Sequence, residues 1–209
     1  MVKCMPVGFS SSERERISLA LQQQGHVLFA TYGLKKTSVE ELAHAAGISK
    51  GAFYLFYDSK EALFFTLLEQ YEASFKAALL REIAQHDVPP PERMQRMLGR
   101  ALVVWKQNAL FTRFSRGEYE QLLRKLPPER INAHLAEDEH YAETFVAAWQ
   151  AAGVALTVES QLVAGLIRAL FFVSLHEEEF GDGVYAPVVD TLVSLLAQHF
   201  VAPQSGERV

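Results

Sequence analysis

Cysteine is nearly absent from this chain: Cys4 is the only one in 209 residues. One thiol cannot build an intrachain disulfide framework, which fits a reducing compartment, and the cytoplasm is the expected location. Long apolar runs are absent too. None approaches the ~18 residues a membrane span needs, so no membrane partner is expected. The opening MVKCMPVGFSSS has no extended apolar region and does not read as a secretory signal. Two catalytic signatures are missing: the H-E-x-x-H helix and the G-x-x-x-x-G-K-[ST] phosphate loop. Nothing places Ser, His or Asp in a nucleophile setting, so the chain is not expected to be an enzyme, and no cofactor is expected. Strand-like alternation and hairpin turns are also lacking, which leaves helices to carry the fold.

What is present is an ordinary globular mix, 49% hydrophobic and 22% charged, on a chain long enough for one well-packed domain or two small ones. The charge is divided. Through residue 60 there are seven Lys/Arg against five Asp/Glu, a balance of +2; beyond it there are thirteen against twenty, a balance of −7. A polyanionic partner would be repelled by the second part and would meet the first.

Residues 37–61, TSVEELAHAAGISKGAFYLFYDSKE, carry the most information. Thr37 and Ser38 are hydroxyl caps, and Glu40 and Glu41 follow in the first turn, where one of them falls at the capping-box position. Val39, Leu42, Ala43 and Ala46 form an apolar stripe, and Gly47 ends the helix because glycine takes positive φ without steric cost. Ile48 plugs the turn. Ser49 caps a second helix that should run through about Tyr57, with Phe53 as core anchor. Asp58 and Ser59 cap a third. Two short helices across a glycine turn form a helix-turn-helix, which places one helix in the DNA major groove. Lys50, Gly51, Tyr54 and Leu55 lie on a face distinct from that of Phe53 and Tyr57, and a cation and a phenol there can hold phosphate. Lys60 opposes the dipole of its own helix and is expected on phosphate instead. The DNA-contacting set is therefore Thr37, Ser38, Ser49, Lys50, Gly51, Ala52, Tyr54, Leu55 and Lys60.

Residues 28–64 closely resemble the N-terminal domain of the tetracycline-repressor (TetR) family of bacterial transcriptional regulators. The resemblance rests on Leu28-Phe29, Gly33, Thr37, Ala45-Ala46-Gly47-Ile48-Ser49-Lys50-Gly51, Phe53-Tyr54 and Ser59-Lys60-Glu61-Ala62-Leu63. Three positions depart from the family pattern. Leu55 replaces a polar residue, often histidine; Phe56 precedes Tyr57 where the family has tyrosine then phenylalanine; Ala52 replaces a frequent threonine. The resemblance implies an all-α protein, with a three-helix DNA-binding domain and a C-terminal helical domain for ligand binding and dimerisation. It implies a homodimer on a pseudo-palindromic operator of double-stranded DNA, released when a small apolar or amphipathic effector moves the headpieces apart. A DNA-binding protein without an effector is the alternative, and a helical carrier or enzyme a remoter one.

The domain reading is a tail over 1–12, a headpiece over 13–64, a body over 65–201 and a tail over 202–209. Ile17, Leu21, Leu28 and Tyr32 trace the first helical stripe, with Gly25 on it as a point of tight packing. A long helix from Ser59 to about Gln85 joins headpiece and body as a lever. Pro89-Pro90-Pro91 breaks it and starts the next helix, 91 to about 112. Helices follow over 118–126, 129–152, 157–179 and 185–201. In the body, Trp105, Phe111, Phe114, Tyr119, Phe145, Trp149, Phe171 and Phe172 are the candidate effector-pocket rings. Leu162, Leu166, Ala169 and Val173, with Val188, Leu192, Leu195 and Leu196, are the candidate dimer face. His134, Glu137, Asp138 and His140 suggest a metal, but His134 and His140 are six residues apart, nearly two turns. A solvated acidic face is expected there, and no metal.

Overall fold

The computed structural model describes residues 9–84, 88–111 and 116–201. The described residues are helical, with no named strand among them; a single antiparallel bridge pairs Leu156 with Val201. The chain divides into two compact units, Met1–Leu68 and Glu69–Val209.

In the first unit, α1 (Ser11–Lys36) starts from a full capping box. The Ser10 hydroxyl accepts from the Glu13 amide, and the Glu13 carboxylate accepts from the Ser10 amide. Residues 11 and 12 are thus helix rather than tail. The buried stripe of α1 runs Ile17, Leu21, Gly25, Phe29, at strict four-residue spacing. Tyr32, expected on this stripe, is 52% exposed, and Leu28 is only half-buried. Helical phase puts Leu28 and Tyr32 on the flank of that stripe; Gly33, with φ 79° and ψ 167°, breaks the helix just beyond, and Leu34 is buried after it. Next come α2 (Val39–Ala45), α3 (Lys50–Phe53) and α4 (Lys60–Ile83). The α-helical part of α3 is four residues, shorter than expected; the chain reaches Tyr57 through tight turns, with the Tyr57 amide still donating to the Phe53 carbonyl.

In the second unit the rest of α4 is joined by α5 (Pro90–Gln107), α6 (Arg116–Lys125), α7 (Pro128–Ala151), α8 (Ser160–Leu175) and α9 (Tyr185–Phe200). Helix α5 packs on α9 and α7 on α8. Both α5 and α7 begin with proline in the first turn, where the missing N–H costs nothing. Their shared core centres on Met94, Met97, Phe145, Trp149, Val163 and Phe200. The expected tails lie outside the described residues, apart from 9–12.

Candidate nucleic-acid interface and effector region

The turn between α2 and α3 is closed by its backbone. Gly47 has φ 72°, its amide donates to the His44 carbonyl, and the Ile48 amide donates to the Ala43 carbonyl. Leu42, Ala43 and Phe53 are buried to within 1%. Such an anchor fixes which residues of the second helix look outward. Tyr54 and Leu55 are 48% and 56% exposed, and Ser49, Lys50 and Gly51 lie on the surface with them. Ala52 is half-buried, and the Ser49 hydroxyl accepts from its amide at 3.1 Å. The side chains expected on DNA therefore form one exposed patch here.

Two residues of the expected set are not free for phosphate. Thr37 is 1% exposed, and its hydroxyl donates to the Gly33 carbonyl at 2.9 Å. It braces the chain where α1 ends. Lys60 Nζ donates to the carbonyls of Leu34 (2.7 Å), Thr37 (2.7 Å) and Lys35 (3.3 Å). These are the unpaired carbonyls at the C-terminal end of α1. The dipole of α1 welcomes the ammonium that α4 disfavours. Lys60, expected on phosphate, is held here as an internal strut between the start of α4 and the end of α1. Ser38 caps α2 reciprocally with Glu41, whose carboxylate accepts from the Ser38 amide and hydroxyl, both at 2.8 Å.

Three contributors are not legible in the local motif. Glu40 on α2 pairs with the Lys50 ammonium. Gln22 on α1 donates to the Tyr57 hydroxyl at 3.0 Å. Arg14 donates to the Leu55 carbonyl at 3.2 Å and stands 5.3 Å from the Phe56 ring, which also meets Phe9 at 5.9 Å. The last two account for the exchanged Phe56-Tyr57 order: the apolar ring meets Phe9 and Arg14, and the hydroxyl meets Gln22.

In the second unit the candidate rings separate into two groups. Trp105, Phe111, Tyr119, Phe171 and Phe172 form one, joined by Tyr71 and Phe75 of α4. Trp105 lies 3.9 Å from Phe111 and 5.0 Å from Phe171 between centroids, and Tyr119 reaches Phe171 and Phe172 at 5.6 and 5.9 Å. Phe145 and Trp149 form the other. They are buried to within 1% in the core, with the Arg93 guanidinium 4.7 Å from the indole. These two are packed in the core. Phe114 lies outside the described residues.

On the α8 and α9 stripes, Leu162 and Leu195 are 48% and 57% exposed and Ala169 is exposed. Leu166, Val173, Val188, Leu192 and Leu196 are half-buried. The inward face of α8 is instead Val163, Ala164 and Leu170.

A polar cluster lies among α4, α7 and α8. Lys76 Nζ contacts Asp138 Oδ1 at 2.6 Å, Arg168 reaches Asp138 Oδ2 at 3.4 Å, and Arg130 pairs with Glu69 at 2.7 Å. Burial pushes the Glu72 carboxyl up to about 7 against the pull of Lys76, with Asp138, Glu69 and Glu137 adding to the rise. Sequence reading placed His134 and Asp138 here but missed Glu72, which comes from a helix more than sixty residues away.

The first unit is therefore a helix-turn-helix headpiece of the DNA-binding class. Over residues 23–67 the chain matches the family described as bacterial regulatory proteins, tetR family. It is 52% identical over 44 residues to the HTH-type transcriptional regulator YuxN of Bacillus subtilis (strain 168), covering 21% of this chain and 15% of that protein. It is 38% identical over 74 residues to YerO of the same organism, covering 34% and 25%. The matched stretch thus spans a quarter or less of either relative. The whole fold resembles a TetR-family transcriptional regulator from Pectobacterium atrosepticum, with a TM-score of 0.66 at 20% identity over 94% of this chain and 100% of that one. It also resembles FadR of Thermus thermophilus, a TetR-family repressor crystallised with lauroyl-CoA, at 0.59 and 23% identity over 94% and 99%. No described helix is long and apolar enough to cross a membrane.

Proposed function

We propose that this chain is a ligand-responsive, sequence-specific DNA-binding transcriptional regulator, a repressor that leaves a pseudo-palindromic operator when a small apolar or amphipathic effector binds its helical body. The observation that carries the reading is the exposed patch Ser49, Lys50, Gly51, Tyr54 and Leu55 held on a buried Phe53 anchor. A short rod with one cation, one phenol and one apolar side chain outward suits a major groove: Lys50 and Tyr54 on phosphate, Leu55 against a thymine methyl. The exposed apolar side chains of α8 and α9, Leu162, Ala169 and Leu195, support pairing with a twin. Two headpieces one helical turn apart would then read two half-sites. The Trp105–Phe171 ring group supports an effector with an apolar portion, and the lauroyl-CoA complex of Thermus thermophilus FadR supports an amphipathic one. The reading places the protein in the cytoplasm and assigns it no enzymatic activity.

The test is selection of duplexes from a randomised pool, then anisotropy titration of the selected site at several salt concentrations. Two chains per site and a steep salt dependence, a slope of about −0.9 per phosphate contact, are expected. A protein that retains no duplex in the absence of small molecules is not such a regulator. One that binds tightly but responds to no compound in an effector screen is a DNA-binding protein of another kind.

A further inference from the structure

We infer that Glu72, His134 and Asp138 form a binding site for a divalent transition ion of zinc's type in the second unit. One ligand atom from each residue lies within 4.8 Å of the other two. Glu72 Oε2 is 3.7 Å from His134 Nε2, which is 4.0 Å from Asp138 Oδ2. A tetrahedral zinc with bonds of roughly 2.0–2.1 Å sets its ligand atoms roughly 3.3 Å apart, so the three side chains must draw together around the ion, by about 0.4 Å between Glu72 and His134 and about 0.7 Å between His134 and Asp138. His134 and Asp138 are one turn apart on α7 and face α4 together, a spacing a helix holds without strain. The donor set, one imidazole and two carboxylates, suits zinc and its first-row neighbours.

Two further features fit a cation. Asp138 Oδ1 is held by Lys76 at 2.6 Å, which orients the carboxylate from outside as metal ligands usually are; Oδ2 faces the site and also meets Arg168 at 3.4 Å, a long contact that the ion would replace. Glu72 is only 17% exposed, yet both His134 Nε2, at 3.7 Å, and the Lys76 ammonium, at 4.0 Å, are beyond hydrogen-bond reach of it. Three carboxylates, Asp138, Glu69 and Glu137, act on it against that one ammonium. Asp138 and Glu69 are themselves paired, with Lys76 and Arg168 and with Arg130, so it is Glu72, this far from water, that gains from a cation placed beside it. The three side chains keep 17–23% exposure, which leaves water a path to the fourth coordination position. The site makes no use of the headpiece, so it stands or falls apart from DNA binding.

The experiment strips the full chain of metal with a chelator, then titrates it with Co²⁺ followed by visible absorption. Zn²⁺ affinity is read by competition with a chromogenic chelator. One Co²⁺ per chain is expected, with ligand-field bands that Zn²⁺ abolishes. Glu72→Gln and His134→Gln should each weaken Zn²⁺ by more than about tenfold, the least that loss of even an outer contact costs. His140→Ala, an exposed neighbour outside the set, should bind as the parent does. Helix content by circular dichroism confirms that each variant is folded. If one variant does not fold, the other and the parent's cobalt spectrum decide. The assignment is overturned if the parent takes up neither ion at about millimolar concentration, or if folded Glu72→Gln and His134→Gln bind zinc as the parent does.

Discussion

The Lys60 ammonium sits 2.7 Å from the Leu34 carbonyl, so the first residue of α4 closes the last turn of α1. Three charge-assisted contacts to backbone carbonyls, at part-buried and exposed positions, stabilise the headpiece by about 1–2 kcal/mol. Lys60→Met should lower headpiece stability by that amount in urea titration. Under conditions where the variant is folded, its salt slope for operator binding should match the parent's. A slope reduced by about one would put the lysine on a phosphate after all.

Gly25 packs against the same helix. A Cβ there would lie 3.0 Å from Leu63 Cδ2 and 3.5 Å from Leu67 Cδ1. Alanine gains about 1 kcal/mol of helix propensity over glycine. Leu63 is fully buried and cannot swing aside, so overpacking of about 1–3 kcal/mol opposes that gain. Gly25→Ala should therefore destabilise by about 1 kcal/mol, read as a lower urea midpoint at unchanged slope. A rise in the midpoint would mean that Leu63 has room to move.

Glu40 and Lys50 neutralise each other at the groove face, with side chains 60% and 53% exposed. An exposed pair of this kind adds little to stability. On DNA it matters more, because a phosphate must compete with the Glu40 carboxylate for Lys50. Glu40→Gln should tighten duplex binding several-fold at low salt on every sequence tried. Lys50→Ala should weaken it on every sequence and flatten the salt slope by about one. Anisotropy titrations at two ionic strengths measure both; a change in base preference at constant affinity would put Lys50 on a base edge.

Glu41 supplies the pH dependence of the α2 start. The Ser38 amide, then the Ser38 hydroxyl, holds its carboxyl below the ordinary 4.5. A carboxyl depressed in the folded state stabilises above its unfolded value, and that contribution disappears as pH falls through the folded one. Glu41→Ala should melt below the parent at pH 7, and the gap should narrow as the pH falls beneath 4.5. A gap that stays constant with pH would assign the loss to something other than the ionised box.

Trp105 and Trp149 should respond differently to truncation. Trp149 is fully buried in the core, and alanine there should cost about 3–5 kcal/mol, enough to unfold a marginal domain. Trp105 is half-buried in the ring group, and Trp105→Ala should leave a folded protein with near-parental DNA affinity and an altered effector response. Melting curves and operator titrations with and without effector separate the two.

The headpiece was readable from its residues because each of its signals is local. A capping hydroxyl, a turn glycine and a four-residue apolar spacing act within one or two helical turns. Gly47 at φ 72°, the Ser38–Glu41 box and buried Phe53 all fall where spacing put them. The all-α character and the proline-started helices of the body follow from the same short-range rules. What spacing could not convey is which distant side chain arrives opposite. Lys60 opposes its own helix's dipole in one dimension and satisfies another helix's end in three. Phe145 and Trp149 share the composition of Trp105 and Phe171, but packing alone divides core from ring group. His134 and Asp138 remain a solvated pair until α4 brings Glu72 beside them. Local backbone preference is written residue by residue in the chain; long-range pairing depends on how helices cross, and only the folded protein decides that.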